Sequence, residues 1–172
     1  MVMQVVEYSM DKELLHGLTT NAPRHVYANS YVVFINDATI SGISYIVTSY
    51  STFKSLNQDI TLDSIRISAH GDSPNTDGIH IADSTNIQVP NSVIGTGDDC
   101  ISIGPGCTNL TILNVACGPG HGISVGSLGK NANEKDVNGL AVRKCTFTGT
   151  TNGLRIKTWP SSPARLQATV FS

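Results

Sequence analysis

An apolar pattern that returns along the chain constrains the fold more than any other feature. Apolar or small residues recur at offsets 0, 2, 5 and 7 in Ile60/Leu62/Ile65/Ile67, Leu110/Ile112/Val115/Cys117 and Leu140/Val142/Cys145/Phe147. Ile87/Val89/Ser92/Ile94 is a weaker copy, and Val33/Ile35/Ala38/Ile40 reads as an earlier one. A second short alternating strand follows in Ile79/Ile81, Ile101/Ile103, Ile123/Val125 and Leu154/Ile156. Repeats of 23 to 30 residues, rich in β-branched strands and Gly, Asn and Ser turns, describe a parallel β-solenoid. One repeat cannot bury its own apolar face, so coils stack and inward residues form ladders. The expected fold is all-β, a partial solenoid of about five coils.

The chemistry of the chain falls into one slot of that repeat. Aligned on the second strands, the residue two places upstream is Asp77, Asp99, His121 and then Asn152. Strands of neighbouring coils lie about 4.7–4.9 Å apart, so Asp77, Asp99 and His121 converge on one patch. Asp98 adjoins Asp99, and adjacent like charges beside a third acid need compensation. Arg155 and Lys157 lie two apart in the rung after His121, so both point to one side of the sheet. The pattern predicts a site with an acidic centre and a basic flank. Singly, each residue has a plainer reading: Asp and Asn bond local backbone at turns, His121 sits between two glycines, and Arg155 and Lys157 suit a solvated strand face. His80, in the strand after Asp77, is expected to pack or to hydrogen-bond. In register on adjacent rungs, the group calls for a shared function.

Composition sets limits. Only 14% of the 172 residues are charged and the formal net charge is -2, which argues against a general polyanion surface and against nucleic acid as a partner. No run approaches the roughly 18 apolar residues of a membrane span. Met1 to Glu7 has too short an apolar run and no basic region for a secretory signal. The cysteines at 100, 107, 117 and 145 show no CxxC spacing, so zinc is not expected. Asn109-Leu110-Thr111 is a glycosylation sequon, although Leu110 also reads as an inward ladder residue. Residues 1–30 are expected to be a partial coil or a disordered lead-in, with a helix-like stretch near 10–17. Residues 31–164 form the β-helix core, and 165–172 a divergent end. Neither end looks like a cap, so the chain reads as the middle of a longer protein, truncated at both ends.

Asn75-Thr76-Asp77, Gly97-Asp98-Asp99, Gly120-His121-Gly122 and Arg155-Ile156-Lys157, in that order, resemble the four signature motifs of the polygalacturonases, the glycoside hydrolases of family 28. The fuller stretches Ser73–Ile81, Thr96–Gly106, Cys117–Gly129 and Leu154–Trp159 resemble the plant branch. Gly126 to Lys130 with Glu134 to Val137 is similar to its exo-acting, pollen-type members. The resemblance implies a right-handed parallel β-helix that hydrolyses α-1,4 bonds between the galacturonate units of pectin with inversion. It implies a secreted, cell-wall protein acting as a monomer on a polysaccharide, without metal or other cofactor.

An inverting glycosidase needs one carboxyl that protonates the leaving oxygen and a carboxylate that activates water, about 6.5–9.5 Å apart. Following the motif, Asp98 is the expected general acid, while Asp77 and Asp99 hold and deprotonate the water. His121 hydrogen-bonds within the cluster and orients Asp98. Arg155 and Lys157 bind the galacturonate carboxylate, a task that suits the two-pronged geometry of Arg. The resemblance also implies a disulfide between Cys100 and Cys117; Cys107 and Cys145 read as buried ladder residues, the commoner fate of a free Cys in a core. The chain departs from the family in extent, lacking the later coils and the substrate-contacting tyrosine they carry. Two alternatives follow: a catalytically inactive, truncated β-helix that binds pectin or is a remnant, and a pectin lyase-like β-helix.

Overall fold

The structure, a computed structural model, describes residues 25–28, 31–32, 36–47, 53–54, 58–160, 166–167 and 170–171. The helix expected near 10–17 and the first part of the lead-in lie outside the described residues. Each turn of the chain contributes three strands in succession. The first gives β1 (His25–Ala28) and β2 (Tyr31–Val32), and the second β3 (Asn36–Ser41), β4 (Ser44–Val47) and β5 (Phe53–Lys54). Next come β6 (Gln58–Asp63), β7 (Arg66–Ala69) and β8 (Ile79–Ile81), then β9 (Thr85–Pro90), β10 (Val93–Gly95) and β11 (Ile101–Ile103). The following turns give β12 (Thr108–Leu113), β13 (Ala116–Cys117) and β14 (Ile123–Leu128), then β15 (Val137–Arg143), β16 (Thr146–Phe147) and β17 (Leu154–Thr158). The last strands are β18 (Leu166–Gln167) and β19 (Val170–Phe171).

Every third strand pairs in parallel, so the chain winds three sheets around one core: β1-β4-β7-β10-β13-β16, β2-β5-β8-β11-β14-β17 and β3-β6-β9-β12-β15-β18. This is a parallel β-helix. Two of the sheets have six strands and the third has seven: β1 and β2 add a layer to the first two beyond the repeats read from sequence, and β18 and β19 add one to the third. β18 and β19 both pair with β15, so the end set apart on sequence continues the third sheet.

The register explains the repeat. Ile60 faces Ile87, Ile87 faces Leu110, and Leu110 faces Leu140. Ile67, Ile94, Cys117 and Phe147 form a second column, and Ile79, Ile101, Ile123 and Leu154 a third. Ile60, Leu62, Ile79, Ile81, Ile101 and Ile103 are fully buried. The earliest copy differs from the sequence reading: Ala38 and Ile40, not Val33 and Ile35, stand opposite Ile60 and Leu62. A pattern at 0, 2, 5 and 7 nearly maps onto itself when shifted by five, so the periodicity fits either alignment.

Two ladders of left-handed residues give the coils their corners. Ser64, Asn91, Asn114 and Lys144, with φ between 53° and 56°, sit between the third-sheet and first-sheet strands of successive coils. Asp37, Asp59, Asn86 and Asn109, with φ between 54° and 58°, form the second ladder near the start of β3, β6, β9 and β12. Asn and Asp adopt this conformation more readily than other residues with a Cβ. Their side chains then bond from coil to coil: Asn114 Nδ2 to Asn91 Oδ1 at 2.9 Å, Asn91 Nδ2 to Asp63 Oδ1 at 3.1 Å, Asn109 Nδ2 to Asn86 Oδ1 at 2.7 Å. Among the described residues no helix is long and apolar enough to cross a membrane.

Candidate active site

The second sheet carries the site. Its isoleucines at 79, 101 and 123 point inward, so the residue after each stands on the outer face. His80, Ser102, Ser124 and Arg155 are register partners there, one per coil. The loops entering those strands deliver Asp77, Asp98-Asp99 and His121, so the structure brings together all the acids, the imidazole and the cations expected from sequence.

Local chemistry fixes the loops. The buried Thr76 hydroxyl donates to the Pro74 carbonyl at 3.1 Å, and the buried Thr96 hydroxyl donates to the Asp98 carbonyl at 3.2 Å. The His121 amide donates to that same carbonyl at 2.7 Å. The glycines on either side of His121 are required by this closeness. Gly120 has φ 136°, and a Cβ there would lie 2.5 Å from the Asp98 carbonyl oxygen; Gly122 has φ 86°, and a Cβ would lie 2.2 Å from the Asn152 carbonyl oxygen. The Gly-His-Gly sequence is therefore a backbone requirement that places the imidazole. His121 Nδ1 bonds Asp98 Oδ1 at 2.9 Å, with both side chains partly open to solvent.

Asp99 has a different setting. Its side chain is 2% exposed, with Arg155 Nη2 at 2.6 Å, Lys157 Nζ at 3.0 Å and the Ser124 hydroxyl at 2.6 Å. Arg155 Nε also donates to Ser124 Oγ at 2.9 Å. Arg155 and Lys157 thus hold a buried carboxylate, a pairing the sequence reading did not include. Asp77 accepts from the Ser102 hydroxyl at 2.7 Å, and His80 Nδ1 lies 2.7 Å from the same Ser102 oxygen. Burial raises the pKa of Asp77; the Ser102 hydrogen bond lowers it in part, the charges of Asp98 and Asp99 raise it, and His80 lowers it.

Ser102 and Ser124 are the site residues that sequence reasoning missed. A serine in a strand reads as a small filler, but both alternate with inward isoleucine or valine in the column shared by His80 and Arg155, and that column was the available signal. One ligand atom each from Asp98, Asp99 and His121 lies within 4.8 Å of the others, a spacing compatible with a metal ion. The Asp99 oxygens already carry two cationic side chains and Asp98 Oδ1 carries His121, so a metal there would compete with Arg155 and Lys157.

Cys100 and Cys117, on adjacent coils behind the acids, form a disulfide with Cα atoms 5.8 Å apart. Cys107 is buried, and burial pushes its thiol up to about 11; Cys145 is half-buried and its thiol is raised by burial as well. Residues 129–136 form the loop from β14 to β15, where the Glu134 carboxylate accepts from the Gly129 amide and Lys135 Nζ reaches Asp83 at 2.9 Å.

The family model for glycosyl hydrolases family 28 matches residues 15–172. The chain belongs to that family. It is 48% identical over 141 residues to an exopolygalacturonase of Platanus acerifolia, covering 81% of this chain and 37% of the relative. It is 57% identical over 102 residues to a polygalacturonase of Prunus persica, covering 59% of this chain and 26% of the relative. Among solved structures it resembles a polygalacturonase from Erwinia carotovora ssp. carotovora, with TM-score 0.58 and 29% identity over 76% of this chain and 38% of the other. The family 28 chain thus spans between 26% and 38% of the length of these relatives.

Proposed function

We propose that this chain carries the catalytic core of a polygalacturonase that hydrolyses α-1,4-galacturonosyl bonds of pectin with inversion. The observation that carries the reading is three carboxylates on adjacent coils in three different settings. Asp98 is partly open and oriented by His121. Asp77 is half-buried on Ser102, and Asp99 is buried under two cations. Asp98 protonates the glycosidic oxygen as the C1–O bond breaks. Asp77 takes a proton from the water whose oxygen attacks C1 from the other face, while Asp99 accepts a hydrogen bond from that water.

Arg155 has donors beyond the two it spends on Ser124 and Asp99, and Lys157 has three in all. The remainder bind the sugar carboxylate at the cleavage point. The substrate is homogalacturonan, and no metal takes part in these steps. A disulfide beside the site fits an oxidising compartment, which supports a secreted protein that meets its polysaccharide in the cell wall.

The test is reducing-end release from polygalacturonate by the protein and by Asp98→Asn. The expected loss is about 10²–10⁴-fold with the fold retained. A loss below about tenfold overturns the assignment of Asp98, and an ultraviolet-absorbing unsaturated product overturns hydrolysis in favour of elimination. Product size on defined oligogalacturonates separates exo from endo cleavage.

A further inference from the structure

Asp77 and Asp99 are each served by a buried serine, and the two arrangements differ in one respect. Ser124 stands between Arg155 Nε and Asp99, whereas Ser102 stands between His80 Nδ1 and Asp77. A serine has one O–H to give. Arginine never surrenders its proton in a protein, so the chain Arg155–Ser124–Asp99 runs one way, with Asp99 always the acceptor. Histidine exists in two neutral tautomers, so the chain His80–Ser102–Asp77 runs either way. With Asp77 ionised, Ser102 donates to it and His80 must present Nδ1–H. With Asp77 protonated, its O–H donates to Ser102, whose hydroxyl donates to a bare Nδ1.

We propose that Ser102 and His80 are positioning residues for the reaction, a reversible hydrogen-bond relay that keeps Asp77 aligned both before and after it takes the proton of the attacking water. This rests on the role given to Asp77 above. The proton Asp77 gains comes from that water, whose oxygen goes to C1; Asp98 supplies the proton that leaves with the departing sugar. Neither Ser102 nor His80 loses or gains a proton overall in the ionised-to-protonated change; the hydroxyl turns and the imidazole exchanges tautomer through solvent, to which His80 is partly open. Both acids then return to their starting states by exchange with water.

Removing the relay has a defined sign. The groups facing Asp77 are Ser102 and His80 from its own sheet, and Asp98 and Asp99 from the next coil. His121 bonds Asp98, and Arg155 and Lys157 bond Asp99. Ser102 and His80 favour the charged carboxylate while the two acids oppose it. Without the serine hydroxyl, Asp77 holds its proton to higher pH.

The experiment has two readouts on the protein and on Ser102→Ala, Ser102→Thr and His80→Leu. In the first, the carboxyl carbon of Asp77 is titrated by NMR, with the ring nitrogens of His80 followed alongside. Ser102→Ala should raise the Asp77 midpoint by about one pH unit, the size of a hydrogen bond to a charged acceptor, and His80→Leu by less. In the protein itself, His80 should change its Nδ1 signature as Asp77 titrates. In the second readout, the acid limb of kcat against pH should move up with the same order, KM should change little, and Ser102→Thr should restore the limb. An unmoved Asp77 midpoint in Ser102→Ala overturns the relay, as does a loss of kcat uniform across pH. Should Asp77→Asn retain hydrolysis, the assignment of Asp77 fails instead; loss in Asp77→Asn with an unmoved midpoint in Ser102→Ala overturns the relay alone.

Discussion

Residue by residue, side chains proposed to serve the substrate also serve the fold, and the cations show the conflict best. Arg155 and Lys157 satisfy Asp99, which is 2% exposed, so truncating either leaves a buried carboxylate short of a partner. Breaking a buried pair in this way costs up to about 3–5 kcal/mol, toward the low end here because both cations keep some solvent contact. Arg155→Ala and Lys157→Ala should therefore both lower the melting temperature. Assayed well below that melt, Lys157→Ala should weaken binding of polygalacturonate and reduce discrimination against methyl-esterified pectin, whose ester carries no charge. Equal relative losses on the two substrates would argue against carboxylate binding. The positions of these cations were legible in sequence, because Arg155 and Lys157 share a strand face. Their partner was not, because nothing in the sequence says that Asp99 turns inward while its neighbour Asp98 stays partly open. That difference arises from tertiary placement, with Ser124 and Arg155 arriving from later coils.

The strands themselves were easy to read and their corners were not. Period-two apolar residues such as Ile79/Ile81 and Ile101/Ile103 identify strands directly, and the acid slot followed from aligning them. The corner ladders escaped notice because one Asn at a turn is unremarkable, and register is needed to see that Asn91 and Asn114 stack. Their energetics can be tested at Asn91, which donates to Asp63 and accepts from Asn114. Asn91→Ala removes both bonds and puts a less tolerant residue at φ 53°. The expected loss of stability is about 1–3 kcal/mol, from backbone strain of roughly 1–2 and partly exposed hydrogen bonds. Asn91→Gly, which keeps the φ but not the bonds, should lose less. Thermal denaturation of the two variants decides: if Gly is no better than Ala, the left-handed corner is not what the position supplies.

At the scale of the whole molecule, stability is close to a sum over coils and the interfaces between them, so an uncovered coil face matters more than any one interaction. Leu154 and Ile156 occupy inward columns opposite Ile123 and Val125, yet they are 39% and 53% exposed, and Trp159 beside them is 48% exposed. Their counterparts one coil earlier, Ile123 and Val125, are buried by the coil that stacks on them. Among the described residues β17 also lies at the edge of its sheet, where unpaired backbone groups template pairing with another chain. A further coil stacked on β17 would cover both the side chains and the edge. The chain should then associate in a concentration-dependent way and bind a hydrophobic dye. Ile156→Glu should reduce the association without touching the acids, since its side chain lies on the face opposite Arg155 and Lys157. Sedimentation of the two proteins over a range of concentrations checks this: a soluble monomer that leaves the dye dark would mean that this apolar face needs no cover.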